Sequence, residues 1–263
     1  MKKLLFVGLA ILLLMPVVAS AQSAFDGTWK IDLKKAEFPK KPDVYLLQNG
    51  MYQCETCVPA IDVKADGQDQ KITGHPYFDS IAIKVVNDHE IEETDKKNGK
   101  TVATSSATVS SDGNTLTFTF NDSSNTNAEP VTGKGEEIRV AKGPVGSHAI
   151  SGSWRTTKLE NMSDNGLMWT YKVSGDELSM TTPTGQSYTA KLNGAQAPMK
   201  GDPGTTSVSL KMMGKSTLEE TDYRDGKAIG VAKMVVAPDG KTLKLMVDDK
   251  LHGTKTEFTA MKQ

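Results

Sequence analysis

Ser111-Asp112-Gly113-Asn114-Thr115-Leu116 returns further along the chain as Pro238-Asp239-Gly240-Lys241-Thr242-Leu243. The same constant offset lays Glu92-Glu93-Thr94-Asp95 on Glu219-Glu220-Thr221-Asp222, Asn98-Gly99-Lys100 on Asp225-Gly226-Lys227, and Gly74-His75-Pro76 on Gly201-Asp202-Pro203. Lys64 to Asp122 superposes on Lys191 to Asp249 without a gap, and 18 of the 59 paired positions are identical. Upstream, with a shift of two residues, Gly27-Thr28-Trp29-Lys30 meets Gly152-Ser153-Trp154-Arg155. A unit of roughly 115 residues is too long for a solenoid repeat and about right for a small domain. The chain therefore reads as a tandem duplication, with repeat one over 22–142, a linker over 143–149 and repeat two over 150–263.

Within each repeat the apolar pattern has the period of a strand. In Thr115-Leu116-Thr117-Phe118-Thr119-Phe120 the apolar side chains share one face and the threonines the other. Ile81, Ile83 and Val85 alternate with Ala82 and Lys84; Val208, Leu210 and Met212 alternate with Ser209 and Lys211. Asn49-Gly50, Asn98-Gly99, Asp112-Gly113, Asp225-Gly226 and Asp239-Gly240 read as hairpin turns, because these residues tolerate the positive φ such turns require. The expectation is an all-β chain forming two antiparallel up-and-down barrels of about eight strands each, since a meander of that size hides its edges best by closing on itself. Asp122 to Gly135, rich in Ser, Asn, Thr and Gly, reads as a long loop peculiar to repeat one.

The N-terminus reads as a signal peptide over 1–21. Lys2 and Lys3 precede the short apolar core Leu4 to Met15, and Ala19-Ser20-Ala21 supplies a small-x-small site with cleavage after Ala21. The expected location is the periplasm or outside the cell, with no membrane insertion after cleavage. Loss of Lys2 and Lys3 takes the formal charge from -1 to about -3, too near neutral to imply a nucleic-acid partner. The pattern sets no oligomeric state.

Gly-x-Trp at the head of an all-β unit of this length resembles the first strand of the lipocalin and wider calycin superfamily. The resemblance implies a barrel, with an Arg near the last strand packed on the Trp. Arg139 in Glu137-Ile138-Arg139-Val140 stands where repeat one needs it, while Thr256-Glu257-Phe258-Thr259-Ala260 of repeat two carries no Arg. The chain also resembles uncharacterised exported bacterial proteins with a duplicated lipocalin-like domain, which share Asp-Gly-Thr-Trp-Lys near the mature start and a Gly-x-Pro followed by a strand and a Lys-x-Gly-Lys turn. That similarity covers nearly the whole mature chain and implies no activity.

Cys54-Glu55-Thr56-Cys57 is the sharpest local feature. With no other cysteine and an oxidising compartment, the expected state is a Cys54–Cys57 disulfide pinning a hairpin turn. The alternatives are a redox pair, whose usual helix N-terminus is missing from these strand-like flanks, and a zinc site, for which His75, His89, His148 and His252 show no paired spacing. Trp29 and Trp154 are expected to plug the barrel floors. Glu93 and Glu220 follow Ile91 and Leu218 by two residues, so strict alternation would send them inward. A buried carboxylate is costly, and the adopted expectation is that a bulge or a rim leaves both in solvent. His75 and Asp202, equivalent but chemically unlike, are read as turn residues.

No nucleophile elbow, phosphate loop, metalloprotease helix or dinucleotide fingerprint is found, so no catalytic residue, metal or cofactor is assigned. The leading expectation is an exported non-enzymatic protein whose barrels bind a small apolar or amphipathic ligand, with no contact residue singled out. Its rivals are a cavity-free structural or protein-interaction module of the envelope, and a thiol-disulfide protein using Cys54 and Cys57. Because Phe118 and Phe120 correspond to the smaller Leu245 and Val247, the cavity is expected in repeat two and the fuller barrel in repeat one.

Overall fold

The structure, a computed structural model, describes residues 23–125 and 129–263; the expected signal peptide lies outside the described residues. Repeat one supplies β1 (Gly27–Ile31), β2 (Asp43–Gln48), β3 (Met51–Cys54), β4 (Ile61–Lys64), β5 (Gln70–Lys71), β6 (Ser80–Asn87), β7 (Glu90–Lys97), β8 (Lys100–Val109), β9 (Thr115–Asp122) and β10 (Val131–Lys142). Repeat two supplies β11 (Gly152–Glu160), β12 (Met168–Ser174), β13 (Glu177–Thr181), β14 (Ser187–Lys191), β15 (Asn193–Pro198), β16 (Ser207–Gly214), β17 (Thr217–Arg224), β18 (Lys227–Val236), β19 (Thr242–Asp249) and β20 (Thr254–Lys262). The repeated segment yields the same four strands in both halves: β6 to β9 and β16 to β19 begin and end at matching positions, β16 reaching Gly214 where β6 reaches Asn87.

These strands form two antiparallel sheets of ten strands each, both nearly closed. The first, here barrel one, runs β4-β3-β2-β11-β10-β9-β8-β7-β6-β5, and the second, barrel two, runs β14-β13-β12-β1-β20-β19-β18-β17-β16-β15. The seam of barrel one is spanned by the Asp66–Lys84 bridge and by Gly67 N–H donating to Ile83 O at 2.9 Å. That of barrel two is spanned by Ser187 and Lys200, which exchange backbone bonds of 3.0 and 2.9 Å. The architecture is the expected one; each sheet has ten strands rather than eight, with β5 and β15 at sheet edges beside the Gly-x-Pro segments.

The repeats and the barrels are not cut at the same place. β1 pairs with β12 and β20, in barrel two, while β11 pairs with β10 and β2, in barrel one. Each Gly-x-Trp strand thus completes the barrel of the other repeat. The physical reason is local. β11 follows β10 through residues 143–151 and folds back on it as a hairpin, the pairing that consecutive elements prefer. Position beside β20 is then filled by β1. The expected linker, 143–149, therefore lies in a hairpin loop of barrel one, and the connections between barrels are 32–42 and 161–167. The end of that loop is docked: Ile150 and Ser151 are buried, and His148 N–H donates to Leu47 O at 2.9 Å.

Turn chemistry follows the reading. Asn98-Gly99 and Asp225-Gly226 have positive φ at both residues, the conformation that lets a two-residue loop follow the twist of its strands. The region read as a long loop is shorter, since Val131 to Gly135 belongs to β10 and pairs with β9. Its glycines are explained by packing. The rings of Phe120 and Phe118 lie where side chains at Gly133 and Gly135 would be, on the directly opposed strand.

The two Trp residues close equivalent ends. Trp29 and Trp154 are fully buried, and each indole N–H donates to a carbonyl four residues earlier, Phe25 at 2.8 Å and Ile150 at 2.7 Å. Arg139 does stack on a Trp, its Cζ 3.9 Å from the ring centre, but the partner is Trp154 of repeat two. Its guanidinium also holds Ser151 O and Ala149 O, both at 2.7 Å. In barrel two the Arg is replaced by Lys262, whose Nζ lies 4.8 Å from the Trp29 ring. Both are cation–π contacts, favourable because the ring face is negative.

The barrels meet where equivalent turns face each other. Tyr77 of repeat one covers Gly204, the residue at its own equivalent position, and its hydroxyl donates to Asp202 Oδ1 at 3.0 Å. Asp202 also accepts from Gly204 N at 2.7 Å. His75 has no such role and stacks on Phe78, ring centres 5.0 Å apart.

Candidate functional site

The interior of barrel one holds a cavity of about 310 Å³. Tyr45 (β2), Tyr52 (β3), Ile91 (β7), Ala107 (β8), Leu116 and Phe118 (β9) form its apolar wall. Glu93 (β7), Ser105 (β8) and Glu137 (β10) are its polar side, and Ile150 completes it ahead of the exchanged strand. A second cavity of about 200 Å³ shares Glu93 and Ser105 and adds Asp95, Ala103, Phe120 and Asp122. Strand alternation places these side chains: Ile91, Glu93 and Asp95 stand on one face of β7, and Leu116, Phe118 and Phe120 on one face of β9.

Glu93 and Glu220 are therefore not left in solvent; each is half-buried and turned into its barrel, Glu93 on the cavities and Glu220 against Tyr188. What makes this tolerable is protonation. Burial raises the Glu93 carboxyl to about 7. Burial, with the charges of Glu93 and Asp122 added, raises Asp95 to about 8. Burial and the charge of Asp43 raise Glu137 to about 7, against a Thr156 hydrogen bond that lowers it. A neutral carboxyl costs far less to enclose than a carboxylate. Glu137 Oε1 accepts from Thr156 Oγ1 at 3.2 Å, so the exchanged β11 holds one of the acids. Glu137 Oε2 and Asp95 Oδ1 are buried without a partner, although both residues are less than a tenth exposed.

Barrel two places the same acids differently. Tyr188 OH donates to Glu220 Oε2 at 2.5 Å. Burial, then the neighbouring Asp222 charge, raises Glu220 to about 8; burial, then the Asp202 charge, raises Asp222 to about 6. The space itself is occupied. Met234 stands opposite Leu218 where Ala107 stands opposite Ile91, and it is 2% exposed. Tyr171 OH reaches its sulfur at 3.1 Å. Both of these cavities lie in barrel one, the barrel expected to be the fuller. The rings of Phe118 and Phe120 reach over glycines of β10 beside the cavities of barrel one, whereas Leu245 opposes Phe258 and Met234 is buried within barrel two.

Cys54 and Cys57 form the expected disulfide, with sulfurs 2.05 Å apart, bracing the loop from β3 to β4. Cys54 is 2% exposed and no helix starts there. Thiol exchange requires attack on an accessible sulfur; Cys54 is closed to it, whereas Cys57 is half-buried. Among the described residues, no group of three or more His, Cys, Asp or Glu side chains is arranged to hold a metal ion, and no helix is long and apolar enough to cross a membrane.

Sequence reasoning singled out Glu93 but missed Glu137, Asp95, Tyr45 and Tyr52. The signal for Asp95 was present, as it follows Glu93 on the same strand face. Tyr45 and Tyr52 lie outside the gap-free repeat and had no internal comparison. No protein family, curated protein or solved structure matches this chain.

Proposed function

We propose that this is an exported ligand-binding protein, lipocalin-like in its barrels, that holds a small amphipathic molecule inside barrel one. The observation that carries the reading is the cavity of about 310 Å³ with aromatic and aliphatic side chains on one side and Glu93 and Glu137 on the other. Pockets of this kind, mostly apolar with a few convergent polar groups, are how small molecules are held and oriented. Repeat two, whose barrel is packed by Met234 and Tyr188, acts as the structural partner that donates β11 to the binding barrel. The chemistry is binding rather than turnover, and the signal peptide over 1–21 directs it to the periplasm or the medium.

The test is fluorescence titration with N-phenyl-1-naphthylamine, a neutral apolar dye. Wild-type protein is expected to enhance its emission saturably. Ala107→Met, which gives barrel one the residue that fills barrel two, is expected to abolish the enhancement while the circular dichroism spectrum is kept. An enhancement that survives Ala107→Met places the dye elsewhere and removes the proposal.

A further inference from the structure

Resting on that reading, we propose that the natural occupant carries an ammonium group, which sits at Glu93, where the two cavities meet, while its apolar body lies against Tyr45, Tyr52 and Phe118. The two cavities share Glu93, and four carboxyl side chains border them: Glu93, Asp95, Asp122 and Glu137. Among the described residues, no Lys, Arg or His borders either one. A protein gains nothing in stability by collecting acids in a barrel without a cation. Glu137 Oε2 and Asp95 Oδ1 carry the point further: both are buried, lack any hydrogen-bond donor, and belong to cavity-lining residues. Buried polar atoms are nearly always paired, so two unpaired acceptors on side chains that line the cavities show this acidic cluster to be short of donors. An ammonium supplies three donors and the compensating charge. A metal ion is the poorer fit, since these oxygens are not grouped as metal ligands.

The groups facing the acids from the surrounding strands are Asp43 and Tyr45 of β2, Tyr52 of β3, Ser105 of β8, Asp122 of β9 and Thr156 of β11. All are acidic or neutral. Without a cation the carboxyls stay protonated well above the usual carboxylate range, Glu93 and Glu137 up to about 7 and Asp95 up to about 8. A bound cation favours their ionised forms. Binding is therefore expected to release protons and to tighten as pH rises from 6 towards 8, levelling off once the acids are ionised in the free protein.

The full chain is titrated calorimetrically at pH 8 with n-octylamine, n-octanol and n-octanoate. The amine is expected to bind about tenfold or more tightly than the alcohol, the scale of one charge-assisted hydrogen bond, and the carboxylate not to bind. Glu137→Gln and Glu93→Gln are each expected to reduce the preference for amine over alcohol. The heat of amine binding at pH 7 should vary with the ionisation enthalpy of the buffer. Equal binding of amine and alcohol, or tighter octanoate binding, overturns the cation and leaves the cavity reading standing. Failure of all three ligands together with a dye response insensitive to Ala107→Met overturns the binding reading itself.

Discussion

Ala107 and Met234 occupy equivalent places and decide which barrel is open. Replacing Met234 by Ala is expected to open a cavity in barrel two at a cost of about 2–5 kcal/mol, the usual range for a large side chain removed from a core. Denaturant unfolding gives the cost, and a gain of a second dye site tests the opening; a loss of stability below this range would mean that the barrel collapses around the gap. The buried acids lead to a pH prediction. Glu93, Asp95, Glu137 and Glu220 all titrate higher in the folded protein, at about 7 to 8, than the 3.8 to 4.5 of the free side chains. The folded state therefore binds more protons than the unfolded state between those values. Their contribution is complete below about pH 4 and is lost as pH rises towards 8. The thermal midpoint should fall from pH 5 to pH 8, with a shallower fall in Glu220→Gln. A midpoint that rises over this interval would contradict the assigned burial. The inward direction of Glu93 was legible in strand alternation; its burial was not, because the cost was weighed for a carboxylate and the barrel encloses a carboxylic acid.

The exchanged strands β1 and β11 could not be read from similarity between the repeats. Gly27-Thr28-Trp29-Lys30 and Gly152-Ser153-Trp154-Arg155 suit either barrel, so what decides is connection length. The turn pairs and β6 to β9 were legible because their signals are short-range and duplicated. The exchange gives Trp154→Ala a clear signature. The substitution is expected to cost about 3–5 kcal/mol, the usual range for a buried Trp. The loss should fall on barrel one, whose floor Trp154 plugs beneath Arg139. Amide hydrogen exchange should show β2 to β10 losing protection and β16 to β20 keeping theirs. Loss confined to β12 to β20 would return each strand to its own repeat.

At the scale of the molecule, the exchange ties two barrels into one unit. Val145 is fully exposed in the β10–β11 loop, so a protease should cut there first. The two fragments are expected to stay together on size exclusion, because each keeps a strand of the other's barrel; separation into two folded halves would deny the exchange. The duplication made two barrels legible, but not their shared strands, which depend on long-range pairing. The position of β1 also imposes an order of events. Barrel one is continuous from Asp43 to Glu160 and has all its wall once β11 is made. Barrel two sets its earliest strand, β1, between β12 and β20, and Gln263 N–H closes onto Thr28 O at 2.9 Å. A newly made chain must hold β1 unpaired until β12 is made, about 140 residues on, and paired on one edge only until β20, more than two hundred residues on, and such distant pairings form slowly. Pulse-labelled hydrogen exchange during refolding should protect β9 to β11 before β1 and β20. The interval before that last pairing leaves two sheet edges open, and it is then that a second chain could supply its own first strand and join two molecules into a dimer.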